Sequence, residues 1–182
     1  SAMNQAVPKI SPYLPKWAEI TRIEDLTQSE KLFEIQLESG EPLGHLPGQF
    51  VELSIMGIGE APISISSAHR DDHAFELAIR KVGNLTKAVH NLQPGDRVGI
   101  RGPFGTHFPV EEAKGKDLLF VAGGIGLVPL RSFIQHVLNR KEKYGNVTIL
   151  FGARNPSERL FLQELEDWRS REDIRYLETV DK

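Results

Sequence analysis

The sequence contains no cysteine among its 182 residues. This absence excludes disulfides, thiol catalysis, and iron–sulfur or cysteine–zinc sites within the chain, and it fits a reducing compartment such as the cytoplasm. No apolar run approaches the roughly 20 residues that span a bilayer, so we expect no membrane insertion. No charged–apolar–small signal pattern opens the chain, and Ser1 and Ala2 ahead of Met3 have the character of a tag remnant.

An excess of charge of one sign is also missing. The formal net charge is -3, from 22 Lys and Arg against 25 Asp and Glu, which gives no electrostatic case for binding nucleic acid or an anionic membrane. His69 and His73 flank a predicted turn without a third ligand, so no metal site is expected. The remaining composition, 40% hydrophobic and 26% charged, is that of a globular protein with one domain or two small ones.

Short strands separated by turn signals fill the first part of the chain. After an extended lead-in over residues 1–18, the alternation of apolar and polar residues predicts six strands and one helix. Strands of this size in a small sheet are best closed into an antiparallel β-barrel, which removes the exposed edges. The barrel is assigned to residues 19–112, with strands over 18–26, 32–37, 49–56, 62–66, 75–82 and 98–101 and the helix over 86–92.

The periodicity changes after the polar segment 111–116, which we interpret as a domain boundary. Strands and helices now alternate, a pattern that indicates a parallel sheet with right-handed crossovers in residues 113–182. Because an open nucleotide-binding sheet usually has more than three strands, the pattern also predicts a C-terminally truncated α/β domain. The predicted elements are a strand over 118–122, a helix ending near 143, a strand over 147–151, a helix over 155–169 and a strand over 174–177.

A glycine turn follows the first strand of this second part. Gly123, Gly124 and Gly126 lie between the strand and the helix, a geometry that turns backbone N–H groups and the positive helix end toward a phosphate. The spacing departs from the full dinucleotide fingerprint, because Pro129 stands in the place of the third small residue. Glycine turns also join strands to helices in α/β proteins without a nucleotide, so the turn alone leaves both interpretations open.

Five motifs occur in an order that resembles the ferredoxin–NADP reductase superfamily of flavin oxidoreductases. The resemblance runs from about Glu19 to the end of the chain, and it is strongest to electron-transfer subunits of hydrogenases or sulfhydrogenases, anaerobic sulfite reductase and dihydroorotate dehydrogenase. The motifs are L-P-G-Q-F-V at 46–51, A-P-I-S-I-S at 61–66, R-K-V-G-N-L-T at 80–86, R-G-P-F-G at 101–105 and the glycine turn.

The resemblance implies an FAD-binding barrel followed by part of an NAD(P)-binding domain. The expected function is that of an FAD-dependent oxidoreductase, which passes hydride from NADH or NADPH to FAD and electrons on to an iron–sulfur or catalytic partner subunit. The isolated chain is expected to be poorly active. One alternative is a non-catalytic flavin-binding or assembly module of a redox complex, and another is a barrel that binds no flavin.

The resemblance also assigns site residues. Ser64 is the predicted catalytic residue, hydrogen-bonded to flavin N5, although an outward serine is common on any barrel strand. Ala61 stands where the family has a pyrophosphate-binding arginine, and Arg80 is expected to supply that charge. Arg154 or Arg159 either meets an adenosine 2′-phosphate or is solvated. The predicted cofactor-binding residues are Pro62, Ile63, Ser64, Ile65, Arg80, Val82, Gly83, Asn84, Leu85, Thr86, Gly123, Gly124, Gly126, Gly152 and Arg154.

Overall fold

The computed structural model describes residues 13–181, which form two β-sheets and three α-helices. Most of the predicted lead-in, residues 1–12, lies outside the described residues. The strands are β1 (Lys16–Asp25), β2 (Glu30–Leu37), β3 (Phe50–Ile55), β4 (Gly59–Ser64), β5 (Phe75–Arg80), β6 (Arg97–Phe104), β7 (Leu118–Gly123), β8 (Val147–Ala153) and β9 (Arg175–Val180). The helices are α1 (Asn84–His90), α2 (Leu127–Leu138) and α3 (Leu162–Ser170).

The first six strands form an antiparallel sheet in the order β4-β3-β6-β1-β2-β5. An isolated bridge between Ile65 and Leu77 joins its two ends. Side chains alternate across each strand, and one set fills the interior; Phe33, Ile35 and Val51 are completely buried there. The structure therefore confirms the predicted antiparallel barrel with a single helix between its fifth and sixth strands.

The last three strands form a parallel sheet in the order β7-β8-β9. The helices α2 and α3 that connect these strands pack on one face, where Phe120, Ile149 and Phe151 are buried with them in one cluster. On the opposite face Leu119 and Val121 are 62% and 63% exposed. The predicted β-α-β-α-β order is confirmed, and within the described residues its helices cover only one side.

The strand predicted over residues 62–66 is displaced. β4 begins at Gly59, because a tight turn returns the chain from Ile55 and pairs it with Gly59 directly. The strand ends at Ser64, and the backbone then bends inward. Ser64 is therefore exposed, whereas Ser66, two residues further on, is fully buried.

Two helices are shorter than predicted. α2 ends at Leu138, and a separate 3₁₀ turn covers Lys141–Lys143. Asn155 caps a 3₁₀ turn, Pro156–Glu158, by accepting a hydrogen bond from the Ser157 N–H at 3.1 Å, rather than opening a long helix. The helix predicted over residues 155–169 is interrupted at Phe161, whose left-handed backbone (φ 55°) turns the ring into the core before α3 begins.

Candidate functional site

A cleft of about 680 Å³ lies between the barrel and the C-terminal ends of the parallel strands. The crevice outside the carboxyl ends of parallel strands is the usual ligand site of open α/β sheets. Of the predicted site residues, the cleft brings together Arg80, Gly123, Gly124, Gly152 and Arg154. Its other lining residues are Thr27, Glu30, Ile125, Ala153, Leu160, Thr179 and Asp181.

The glycine turn forms one wall of this cleft. β7 ends at Gly123, a 3₁₀ turn covers Gly124–Gly126, and α2 follows at once. Gly124 has a φ of +51°, a left-handed conformation that side chains disfavour, so this position favours glycine. The positive end of a 12-residue helix therefore stands at the edge of the cleft, where it favours an anionic ligand.

A charged pair from the barrel forms the facing wall. Arg80 Nε lies 3.6 Å from Glu30 Oε1, and the Arg80 side chain is 69% exposed. Glu30 is held by hydrogen bonds from the hydroxyls of Thr27 and Ser29. In the sequence, Thr27 and Glu30 fall between two predicted strands, and nothing in the residues themselves indicates that the second half of the chain folds back onto this turn.

The predicted flavin strand lies outside this cleft. Ser64 ends β4 opposite Phe50, whose ring is 5.8 Å from that of Phe104, and Ser64 is exposed. Pro62 is also exposed, Ile63 is half-buried, and the Ile65 side chain is buried in the barrel core. The strand therefore offers a hydroxyl and backbone groups at a surface that is separate from the lining of the 680 Å³ cleft.

Several polar groups at the start of α1 are hydrogen-bonded to one another. Thr86 Oγ1 accepts hydrogen bonds from the N–H groups of Val82 and Gly83, both at 2.9 Å, and lies 3.1 Å from Gly83 O as a donor. Thr86 is thus buried as the third helical residue, and Gly83 rather than Thr86 occupies the cap position. Asn84 and Leu85 follow, with Asn84 exposed.

The two arginines considered for a 2′-phosphate have different surroundings. Arg154 lines the cleft. Arg159 lies outside the cleft lining, and its Nε donates to Glu178 while its Nη2 is 3.4 Å from Glu166. Burial would raise the pKa of Glu178, but hydrogen bonds from Tyr176 and Arg159 and nearby positive charges outweigh it and lower that pKa.

A buried arginine behind the glycine turn was missed by sequence reasoning. Arg131, one turn into α2, is 5% exposed and contacts Glu164 of α3 and Glu76 of β5. Burial alone would lower the pKa of Arg131, but the charges of Glu164 and Glu76 raise it above its ordinary value. The sequence offered one signal, since Arg131 directly follows Leu130 and lies two residues before Phe133, both of them apolar.

None of the helices within residues 13–181 combines the length and apolarity that a membrane crossing requires. An antiparallel barrel joined to a parallel sheet, with a glycine turn and an arginine facing each other across the cleft, defines a two-domain architecture whose cleft suits an anionic ligand. The chain belongs to the oxidoreductase FAD-binding domain family, which matches residues 17–108, and residues 120–182 match the oxidoreductase NAD-binding domain. The boundary at residues 112 and 113 stays a prediction.

Similar proteins support this assignment. The chain is 42% identical over 180 residues to the sulfhydrogenase 1 subunit gamma of Pyrococcus furiosus, a match that covers 96% of this chain and 62% of that subunit. It is 38% identical over 121 residues to a probable dihydroorotate dehydrogenase B (NAD(+)) electron transfer subunit of Methanocaldococcus jannaschii, covering 66% of this chain and 42% of the relative. The chain therefore spans about half the length of these relatives.

The fold itself is shared with a solved reductase. The ferredoxin-NADP+ reductase from Plasmodium falciparum superimposes with a TM-score of 0.72 at 22% identity, over 91% of this chain and 70% of that one. At this identity the similarity establishes the fold, and the two-domain architecture predicted from the sequence is confirmed.

Proposed function

We propose that this chain is the flavin-binding electron-transfer part of an NAD(P)H oxidoreductase. FAD, when bound, accepts hydride from NADH or NADPH and releases electrons to a further acceptor. The chain's own contribution is to bind the two cofactors, orient them and supply electrostatics. The observation that carries the proposal is the cleft in which Arg80 of the barrel faces Gly123 and Gly124 of the parallel sheet.

The residues of the cleft fit a phosphate-bearing cofactor. Arg80 offers an exposed guanidinium, a planar donor suited to a pyrophosphate, and Glu30 holds it from one side only. We propose that Arg80 replaces the charge lost at Ala61, that Ser64 and the Ile65 backbone meet the flavin ring, and that Gly83 to Thr86 approach its phosphates. The glycine turn and Gly152 would hold the nicotinamide nucleotide, with Arg154 at the rim.

The names of the relatives suggest an assembly. Sulfhydrogenase subunit gamma and the electron transfer subunit of dihydroorotate dehydrogenase B are both subunits of larger proteins. We therefore propose an iron–sulfur or catalytic partner, because this chain has no cysteine that could hold a cluster of its own. A cytoplasmic location is consistent with the same lack of cysteine.

A second candidate is a flavin-binding module that does not react with nicotinamide nucleotides itself. This alternative is favoured by Ser64, which lies on a surface separate from the cleft lining. In such a module the barrel would retain FAD, while the nucleotide cleft would bind NADH or NADPH weakly or not at all.

The deciding experiment is a visible absorption spectrum of the purified chain before and after incubation with FAD and desalting, followed by anaerobic titration with NADH and NADPH. Retained flavin that is bleached by either nucleotide supports the oxidoreductase. Flavin that is retained but not bleached supports the module instead. A protein that stays colourless overturns both.

The matched variants are Arg80→Met and Arg97→Met. Losing one charge-assisted hydrogen bond costs about 1.5–3 kcal/mol, so Arg80→Met should weaken FAD binding by about tenfold or more. Arg97 is an exposed arginine of the same barrel that pairs with Glu38, away from the cleft lining. Arg97→Met should bind FAD like the parent, and equal losses in both variants would argue against a specific role for Arg80.

A further inference from the structure

Arg131 makes an unusually complete set of contacts for a buried charge. Its Nε lies 3.0 and 3.1 Å from the two carboxylate oxygens of Glu164, and its Nη2 lies 2.8 Å from one of them. Its Nη1 donates to Glu76 Oε1 at 3.1 Å, and the guanidinium stacks 4.3 Å from the centre of the Phe161 ring. One side chain therefore binds the barrel and α3 at the same time.

On the barrel side, Glu76 connects Arg131 to the predicted flavin strand. Glu76 O accepts from Ser66 N at 2.9 Å, and Ser66 lies two residues after Ser64. Arg131 Nη1 also approaches Ser66 O at 3.5 Å. Through two residues, Glu76 and Ser66, the arginine is thus fixed to the end of β4.

On the side of the parallel sheet, Arg131 lies in the helix that follows the glycine turn. Arg131 is the fifth residue of α2, which begins directly after Gly126. One turn further along the same helix face, Gln135 accepts from Ala68 N at 2.9 Å and donates to Glu164. Arg131 and Gln135 together form a polar clamp between α2 and barrel residues 66–76.

We propose that Arg131 is a positioning residue that fixes the orientation of the glycine turn relative to the flavin strand, and thereby the alignment of nicotinamide with flavin. The part concerning nicotinamide and flavin rests on the function proposed above. Arginine suits this role because its planar fork binds two carboxylates in fixed directions, which a lysine ammonium cannot do. When the arginine is removed, the buried Glu76 and the half-buried Glu164 remain with less compensation, and the two halves should lose their fixed orientation.

The lack of cysteine gives a direct measurement of that orientation. Ser39→Cys on the barrel and Glu172→Cys beside α3 introduce two exposed labelling sites into the full chain, which has no native thiol to compete. Distances between spin labels at these sites should form one narrow distribution. Arg131→Met should broaden it to about twice that width or more, because the clamp no longer selects one arrangement.

Two further variants make this measurement decisive. Arg131→Lys keeps the buried charge and should fold even if Arg131→Met does not, and it should give a distribution of intermediate width. Arg97→Met, which removes an arginine that pairs with Glu38 within the barrel, should leave the distribution unchanged. Distributions for both Arg131 variants that coincide with the parent would overturn the proposal.

A kinetic test separates positioning from loss of stability. In FAD-loaded protein, Arg131→Lys should lower the limiting rate of flavin bleaching by NADH or NADPH by about tenfold or more. The nucleotide concentration at half-saturation should change by less than about threefold. An unchanged limiting rate would overturn the positioning role. If the parent itself is not bleached, the proposed function fails, and the label distances still decide whether Arg131 sets the orientation.

Discussion

The barrel and the parallel sheet solve the problem of burial in different ways. The barrel closes on itself, so its six strands share one interior that contains Phe33, Ile35 and Leu53. The parallel sheet has helices on one face only, and Leu119 and Val121 on its other face are more than half exposed. Antiparallel closure thus yields a self-sufficient core, whereas three parallel strands do not.

The parallel half compensates by using part of the barrel. Leu32 lies on β2 of the barrel, yet it is 2% exposed and packs in the same cluster as Phe120 and Ile134 of the second half. The next residue, Phe33, is completely buried in the barrel interior. Because successive side chains of a strand point to opposite faces, β2 supplies residues to both cores.

The largest effect is expected from alanine substitutions at these two neighbours. Phe33→Ala should destabilise the barrel by about 3–5 kcal/mol and Leu32→Ala the second half by about 2–5 kcal/mol, since each leaves a buried cavity. Urea unfolding measures the loss in free energy of unfolding for each variant, and amide hydrogen exchange shows which strands are destabilised. Leu32→Ala should accelerate exchange in β7 and β8 more than in β1 and β6, although the substituted residue belongs to the barrel.

Leu77→Ala, in the barrel interior opposite Phe33, is the control. It should reproduce the exchange pattern of Phe33→Ala. If Leu32→Ala accelerated exchange equally in all strands, the two cores would behave as one cooperative unit. The barrel core would then not be self-sufficient.

The sequence predicted the architecture because local patterns specify it. Alternation gave all six barrel strands, and the run from Leu118 to Ala122 with its glycine turn gave the parallel half. The errors fall where a tertiary contact overrides the local pattern. Phe161 adopts a left-handed backbone and breaks the predicted helix because its ring packs in the core beneath Arg131.

The candidate site was predictable only in part. Gly123, Gly124 and Gly152 could be recognised because they lie at a glycine turn and at the carboxyl end of a strand, where open α/β sheets bind ligands. Glu30 and Arg131 were not found, because Glu30 pairs with Arg80 of a neighbouring barrel strand and Arg131 acts across the interface between the two halves. Their roles depend on which residues the fold brings opposite them, and these partners are distant in sequence.

A smaller effect is expected from pH. Burial, followed by the charge of Arg140, lowers the pKa of His136 on α2 from 6.5 to about 4. The unfolded chain therefore binds more protons than the folded one between these values, and stability should fall as the pH drops from about 6.5 toward 4. One such group gives a slope of at most about 1.4 kcal/mol per pH unit.

His136→Gln should flatten this dependence when unfolding by urea is measured at several pH values. The matched variant is His45→Gln in the barrel, where burial also lowers the histidine pKa despite a hydrogen bond to Ser67 O. If the histidines of both halves contribute to the pH dependence of stability, each variant should remove part of that dependence. A profile that His136→Gln leaves unchanged would show that this histidine is not kept neutral in the folded protein.

The smallest effect is expected on the open face of the parallel sheet. Leu119→Ser and Val121→Ser should each change the free energy of unfolding by less than about 0.5–1 kcal/mol, because exposed positions lose little burial and only some strand propensity. Phe120→Ser, between them on the same strand but 6% exposed, should cost several times more. Should the two exposed positions prove as sensitive as Phe120 in urea unfolding, that face must be buried in solution. The parallel half would then be as fully enclosed as the barrel, by contacts outside residues 13–181 or between copies of the chain, and sedimentation at several concentrations would distinguish the two.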